Sequence, residues 1–283
     1  MHRVTLPFWP KLLPMNSITL QGRTAVVTGG SSGIGLATVE QLLAHGAAVA
    51  FCGRDEARLR EVETGLRQKF PAAALFAARC DVLQAADVSQ FAAASEQALG
   101  AAVILVNNAG QGRVSTFADT TDEAWTQELH LKFFSIIHPT RAFLPQLERQ
   151  RALLGDAAIV CVNSLLAAQP EPHMVATSAA RAGVKNLLRS MATEFAPKGI
   201  RVNGILVGLI ESGQWRRRFE AREDKSQDWP SWMHGLAARK NIPLARLGLP
   251  AEAAQAIVFL ATPQSSYTTG SHIDVSGGLS HWA

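Results

Sequence analysis

The stretch Thr28-Gly29-Gly30-Ser31-Ser32-Gly33-Ile34-Gly35 carries the sharpest chemical signal in this chain. It follows a β-branched run, Thr24–Thr28, and opens an apolar-periodic segment that begins at Gly33. Glycines allow a tight turn and a close approach of backbone to a pyrophosphate. The first turn of a helix adds free N–H groups and the positive end of a dipole. Glycines alone are a weak pattern; set between a strand and a helix they indicate a nucleotide phosphate cradle.

The rest of the chain supplies the elements that would hold such a cradle. Strands are expected at 24–28, 48–52, 75–80, 103–106, 158–163, 201–206 and 272–275. Helices are expected at about 33–45, 55–69, 85–99, 122–149, 175–197 and 251–262. In the first helix Val39, Leu42, Leu43 and Gly46 fall at i, i+3, i+4, i+7, and His45-Gly46 is a stop signal. Alternation at this spacing predicts an α/β fold with one doubly wound parallel sheet and helices on both faces. One segment, about 209–245, is long and mostly polar yet holds Trp215, Trp229 and Trp232, three of the six tryptophans. A solvated loop would not keep three, so a helical lid over a pocket is expected.

Composition narrows the class. The chain has 283 residues, 47% hydrophobic and 18% charged. That is ample for a core and too apolar for disorder. No apolar run approaches the ~18 residues of a membrane helix. The net charge of +4 is small and dispersed, which disfavours nucleic acid as a partner. Arg216-Arg217-Arg218 could receive an acidic group, but Glu220, Glu223 and Asp224 nearly balance it. Cys52, Cys80 and Cys161 lie far apart without metal-ligand spacing, so no metal site is expected, and buried free thiols in a reducing cytoplasm are. Residues 1–19, broken by Pro7, Pro10 and Pro14, read as a disordered extension, with Met15 as an alternative start. Residues 20–283 then form one domain.

From about residue 20 onward the chain resembles the short-chain dehydrogenase/reductase family. The TGxxxGxG spacing at 28–35 carries the resemblance, with Asn107-Asn108-Ala109-Gly110 after the fourth strand, Gly199 through Asn203 at the sixth, and Asp274 through Gly278 at the last. It implies a Rossmann-type fold, a small-molecule substrate and a homo-oligomer, dimer or tetramer. It also implies cofactor contacts from Gly29, Ser31, Ser32, Gly33, Ile34, Gly35, Asp81, Val82, Asn108, Ala109, Gly110, Gly208, Ile210 and Ser212. Where an NAD site places an acid after the second strand, Gly53 and Arg54 stand here. An arginine pairs with a 2′-phosphate that an acid would repel, which favours NADP(H). Asp55 is better explained as the N-cap of the next helix.

The family's catalytic set is a Ser, a Tyr, a Lys four residues after it, and an Asn on the preceding long helix. Ser164 is retained. The Tyr position is Thr177, the Lys position Arg181 and the Asn position Lys132. The lone Tyr267 belongs to the C-terminal motif. An alkyl hydroxyl lies about 5 pKa units above a phenol, roughly 7 kcal/mol against proton transfer. Arginine does not exchange protons near neutrality, though Arg181 could still hold the ribose. Thr177 and Arg181 share a face, while Val184, Leu187, Leu188 and Met191 mark another as buried. Three readings follow. Another acid acts: Lys132, its pKa lowered in a pocket beside Arg181, or His173, with a solvated helix residue and a surface loop residue as the plain alternatives. Or NADP(H) is bound without turnover, as in a sensor or scaffold. Or Thr177 orients a reactive substrate and water gives the proton. The first leads: hydride transfer between NADPH and a small carbonyl or alcohol, with an atypical proton donor.

Overall fold

A computed structural model describes residues 19–281. The expected extension lies outside these residues apart from Thr19. Seven strands are present: β1 (Thr24–Thr28), β2 (Ala48–Gly53), β3 (Leu75–Arg79), β4 (Ala102–Asn107), β5 (Ala157–Ser164), β6 (Ile200–Val207) and β7 (His272–Val275). They alternate with helices α1 (Gly33–Ala44), α2 (Glu56–Lys69), α3 (Ala85–Leu99), α4 (Asp122–Leu154) and α5 (Val175–Phe195), followed after β6 by α6 (Gly213–Glu220), α7 (Trp229–Arg239) and α8 (Pro250–Ala261).

The strands form one parallel sheet in the order β3-β2-β1-β4-β5-β6-β7. β1 and β4 are buried along their whole length, which is why both read as continuous apolar runs. α1 packs with α8 on one face, and α3, α4 and α5 stack in sequence on the other. The order reverses between β1 and β4, and such a switch point opens a crevice beyond the carboxyl ends of the strands.

Caps set several helix starts. Asp55 accepts the Arg58 N–H at 3.1 Å at the head of α2, as expected. Thr121 accepts that of Ala124 at 3.2 Å at the head of α4. α4 runs five residues past its expected end at 149, to Gly155 in the left-handed region (φ 78°). Tertiary anchoring carries it through Pro145: buried Gln146 accepts the Ala102 N–H at 2.9 Å and donates to the Ala92 carbonyl at 3.1 Å.

The segment expected to form a lid holds two helices, α6 and α7. Trp229 stacks on Trp232 at 5.7 Å between ring centroids, Phe219 meets Trp229 edge-on at 5.2 Å, and Trp215 lies 6.3 Å from Trp232. Trp215, Trp229 and Trp232 pack against Met233, Leu236, Ile242 and Leu247 in a small cluster separate from the main core. Of the three tryptophans, only Trp215 borders the cavity below.

Candidate active site

The glycine turn is built for close approach. Gly29 (φ 66°) and Gly33 (φ 54°) occupy backbone that L side chains rarely adopt. A Cβ on Gly35 would strike the Gly29 carbonyl and the Asn108 amide. Thr28 Oγ1 accepts the N–H groups of Asn108 and Ala109, both at 3.1 Å. Asn108 Nδ2 donates back to the carbonyls of Thr28 and Gly29 at 3.0 Å each. The turn after β1 and the turn after β4 are thereby stitched into one rim.

That rim borders a cavity of about 1410 Å³ at the carboxyl ends of the strands. Every cofactor and catalytic candidate named from the sequence lines it except Gly35, which is buried beneath the turn; of Arg216, Arg217 and Arg218 only Arg218 borders it. Arg54 stands exposed on its wall, with no carboxylate partner among the described residues, while Asp55 is committed to its cap. His173 also borders the cavity but is surface-exposed and paired with Glu171 at 2.9 Å, in line with its plain alternative. Tyr267 is fully exposed.

At the far end, α4 and α5 bring together a cluster that the sequence did not disclose in full. Lys132 is only 4% exposed, which overturns the alternative of a solvated helix residue. Its Nζ donates to the Gln111 carbonyl at 2.6 Å and to Glu128 Oε2 at 2.8 Å. Glu128, itself buried, also accepts the Thr177 hydroxyl on Oε2 at 2.7 Å, and Thr177 Oγ1 accepts the Arg113 N–H at 3.1 Å. Thr177 is fully buried at the cavity wall, and its hydroxyl also lies 3.2 Å from the Arg113 carbonyl. Ser164 Oγ lies 3.3 Å from the Val207 carbonyl and accepts the Leu166 N–H at the same distance. Asn163 Oδ1 takes the Arg181 guanidinium at 3.2 Å, and its amide donates to the Arg181 carbonyl at 3.1 Å, clamping this residue to β5.

Electrostatics follow from this packing. Burial lowers the Lys132 pKa below the ordinary lysine value, and the like charge of Arg181 adds to that. The hydrogen bond and charge of Glu128 oppose it. Burial pushes the Arg181 guanidinium down to about 10, against the pull of Glu128. Glu128 and Asn163 were missed from sequence. Glu128 had a signal, its i, i+4 spacing from Lys132 on one helix; Asn163 had only its place beside Ser164.

The residues fit a dinucleotide. The crowding at Gly35 leaves the backbone bare where phosphates pass, and Arg181 Nε, at the cavity wall, is buried without a partner. Among the described residues no group of three His, Cys, Asp or Glu could hold a metal ion, and no helix is long and apolar enough to cross a membrane. All three cysteines are free and buried.

Comparison with known proteins agrees with this geometry. The family model described as enoyl-(acyl carrier protein) reductase matches residues 29–280. A short-chain type dehydrogenase/reductase of Sinorhizobium fredii is 34% identical over 92% of this chain and 98% of its own length. An NADPH-bound short chain oxidoreductase from Pseudomonas aeruginosa PAO1, described as containing an atypical catalytic center, is 72% identical, with a TM-score of 0.89 over 94% of this chain and 99% of that one. L-sorbose reductase from Gluconobacter frateurii, in complex with NADPH and L-sorbose, is 30% identical, with a TM-score of 0.87 over 94% of this chain and all of that one. The chain belongs to the short-chain dehydrogenase/reductase family.

Proposed function

We propose that this member of the family is an NADP(H)-dependent oxidoreductase that interconverts a small carbonyl compound and its alcohol, with Lys132 as the proton donor in reduction. The observation that carries the reading is the state of Lys132. Two of its three N–H bonds are taken by Gln111 and Glu128, which leaves one for a ligand in the cavity. Thr177, by contrast, has two protein acceptors for its single proton, Glu128 at 2.7 Å and the Arg113 carbonyl at 3.2 Å.

When bound, NADPH supplies the hydride. Gly29 through Gly35 would hold the pyrophosphate, Arg54 the 2′-phosphate and Arg181 the ribose hydroxyls; Asp81, Val82, Asn108, Ala109 and Gly110 line the path between, and Gly208, Ile210 and Ser212 border the carboxamide end. Ser164 orients the carbonyl, and Lys132 Nζ passes a proton to its oxygen. Support for NADP(H) comes from Arg54 on the cavity wall, and from the NADPH held by the two related structures. Buried free thiols accord with a cytoplasmic setting. A homo-oligomer, dimer or tetramer, completes the proposal.

A second reading has its own observation. With no phenol at the cavity and the Thr177 hydroxyl spent on Glu128, the chain could bind NADP(H) without turnover, as a sensor or scaffold. One experiment decides: titration of NADPH and NADH by fluorescence, then a panel of carbonyl compounds followed by NADPH oxidation. Turnover that Lys132→Met abolishes supports the enzyme. Tight NADPH binding with no turnover across the panel supports the sensor. Absence of binding sinks both. The double change Thr177→Tyr with Arg181→Lys restores the family's acid, and gain of activity would show the rest of the cavity competent.

A further inference from the structure

We propose that Glu128 is a positioning residue that holds Lys132 in its ammonium form and engages the Thr177 hydroxyl. This rests on the reading of Lys132 as proton donor. Glu128 Oε2 accepts from Lys132 Nζ at 2.8 Å and from Thr177 Oγ1 at 2.7 Å, and all three side chains are buried. The Thr177 oxygen also receives the Arg113 N–H, so a ligand finds neither a free proton nor a free rotor there.

Charge explains why a carboxylate stands in this place. From α5, Arg181 faces Lys132 with a like charge, and burial disfavours both cations. Glu128, one turn before Lys132 on α4, is the anion bonded to it. The other charged groups bordering this end of the cavity are engaged elsewhere: Arg113 donates to Gln127 at 3.2 Å, and Glu171 pairs with Lys240 and His173. His130 also lines the cavity, stacked toward Phe134 at 4.6 Å. Two cations and one anion leave a net positive pocket, suited to an oxygen gaining negative charge. In the reduction, the Lys132 N–H bond breaks as the O–H bond of the alcohol forms, its electron pair stays on Nζ, hydride comes from NADPH, and the amine regains a proton from water.

The test is an NMR titration of the unliganded protein labelled with [13Cε]lysine, with the Lys132 signal assigned by its loss in Lys132→Met. In the native protein the Lys132 midpoint lies below that of an exposed lysine. Glu128→Gln keeps an acceptor but removes the charge, and the midpoint falls further, by about one pH unit or more. Glu128→Asp gives an intermediate value and serves as the readout if the glutamine variant does not fold. Where turnover is measurable, Glu128→Gln lowers kcat more than it changes KM, and the alkaline fall of the rate moves to lower pH by the same interval. A Lys132 midpoint unmoved or raised in both variants overturns the proposal. Absence of turnover in the native protein would overturn the donor reading instead, and the titration would still decide whether Glu128 holds the ammonium.

Discussion

Replacing Lys132 with Met tests the buried cluster through stability as well as turnover. Methionine approximates the lysine stem in length but leaves Glu128 with the Thr177 hydroxyl as its remaining bond partner. Removing one member of a buried ion pair typically costs about 3–5 kcal/mol. Arg181 still attracts Glu128, so the lower end applies, about 3 kcal/mol. At roughly 2–4 °C per kcal/mol for a chain of this size, Tm falls by about 6–12 °C. The deficit is read by circular dichroism melts. Adding Glu128→Gln removes the stranded charge and restores most of the Tm, while turnover stays lost. A double variant no more stable than Lys132→Met, or turnover regained in it, would refute the reasoning.

Four further outcomes are expected. Arg54→Ala weakens NADPH binding by roughly 10- to 100-fold, the scale of one charge-assisted hydrogen bond, and leaves NADH nearly unchanged in parallel fluorescence titrations. Gly35→Ala forces its Cβ against the Gly29 carbonyl; overpacking of about 1–3 kcal/mol appears as a lowered Tm together with loss of cofactor affinity. The native reduction rate, measured at saturating substrate, falls as pH rises through the depressed Lys132 midpoint, because the proton to be given is then absent; a rate still constant at pH 10.5 would count against Lys132. Burial, with the charge of Lys185 added, pushes His272 down to about 4. The unfolded chain then binds more protons between about pH 6.5 and 4, so stability declines as pH falls through that window, and His272→Gln makes the decline shallower in denaturant titrations.

The fold was legible because its signals are redundant. Each strand of the central pair is an apolar run bounded by turn residues, and three boundaries, Thr24–Thr28, Ala85–Leu99 and His272–Val275, coincide with expectation. The miss at the end of α4 is instructive. The helix expected to end near 149 continues to Leu154, and near its end Gln146 accepts from Ala102 and donates to Ala92, residues some 44 and 54 positions away. Local composition cannot report an anchor of that separation. The lid shows the same limit: three tryptophans in a polar stretch predict helices over a pocket, but only the packing reveals that Trp229 and Trp232 face each other and Trp215 faces the cavity.

The candidate site divides along the same line. The cradle could be read because its chemistry is backbone chemistry, and glycine spacing encodes backbone directly. The proton-handling end could not, because there the decisive quantity is which side chains share one buried oxygen. Lys132 and Arg181, read singly, are two cations where the family has an amide and a lysine, and the reading stops at a missing acid. Once Glu128 is added the three side chains carry one net positive charge, and the loss of the phenol no longer implies loss of a proton source. With Lys132 as the proposed donor, the shift is from an oxygen acid tuned by a nearby cation to a nitrogen acid whose burial lowers its pKa and whose carboxylate neighbour limits the fall. Burial lowers the Lys132 pKa, and the bond and charge of Glu128 raise it again. Their opposition is what makes a buried lysine usable as an acid, and it is why Glu128 and Lys132 must be altered together as well as separately for either role to be assigned.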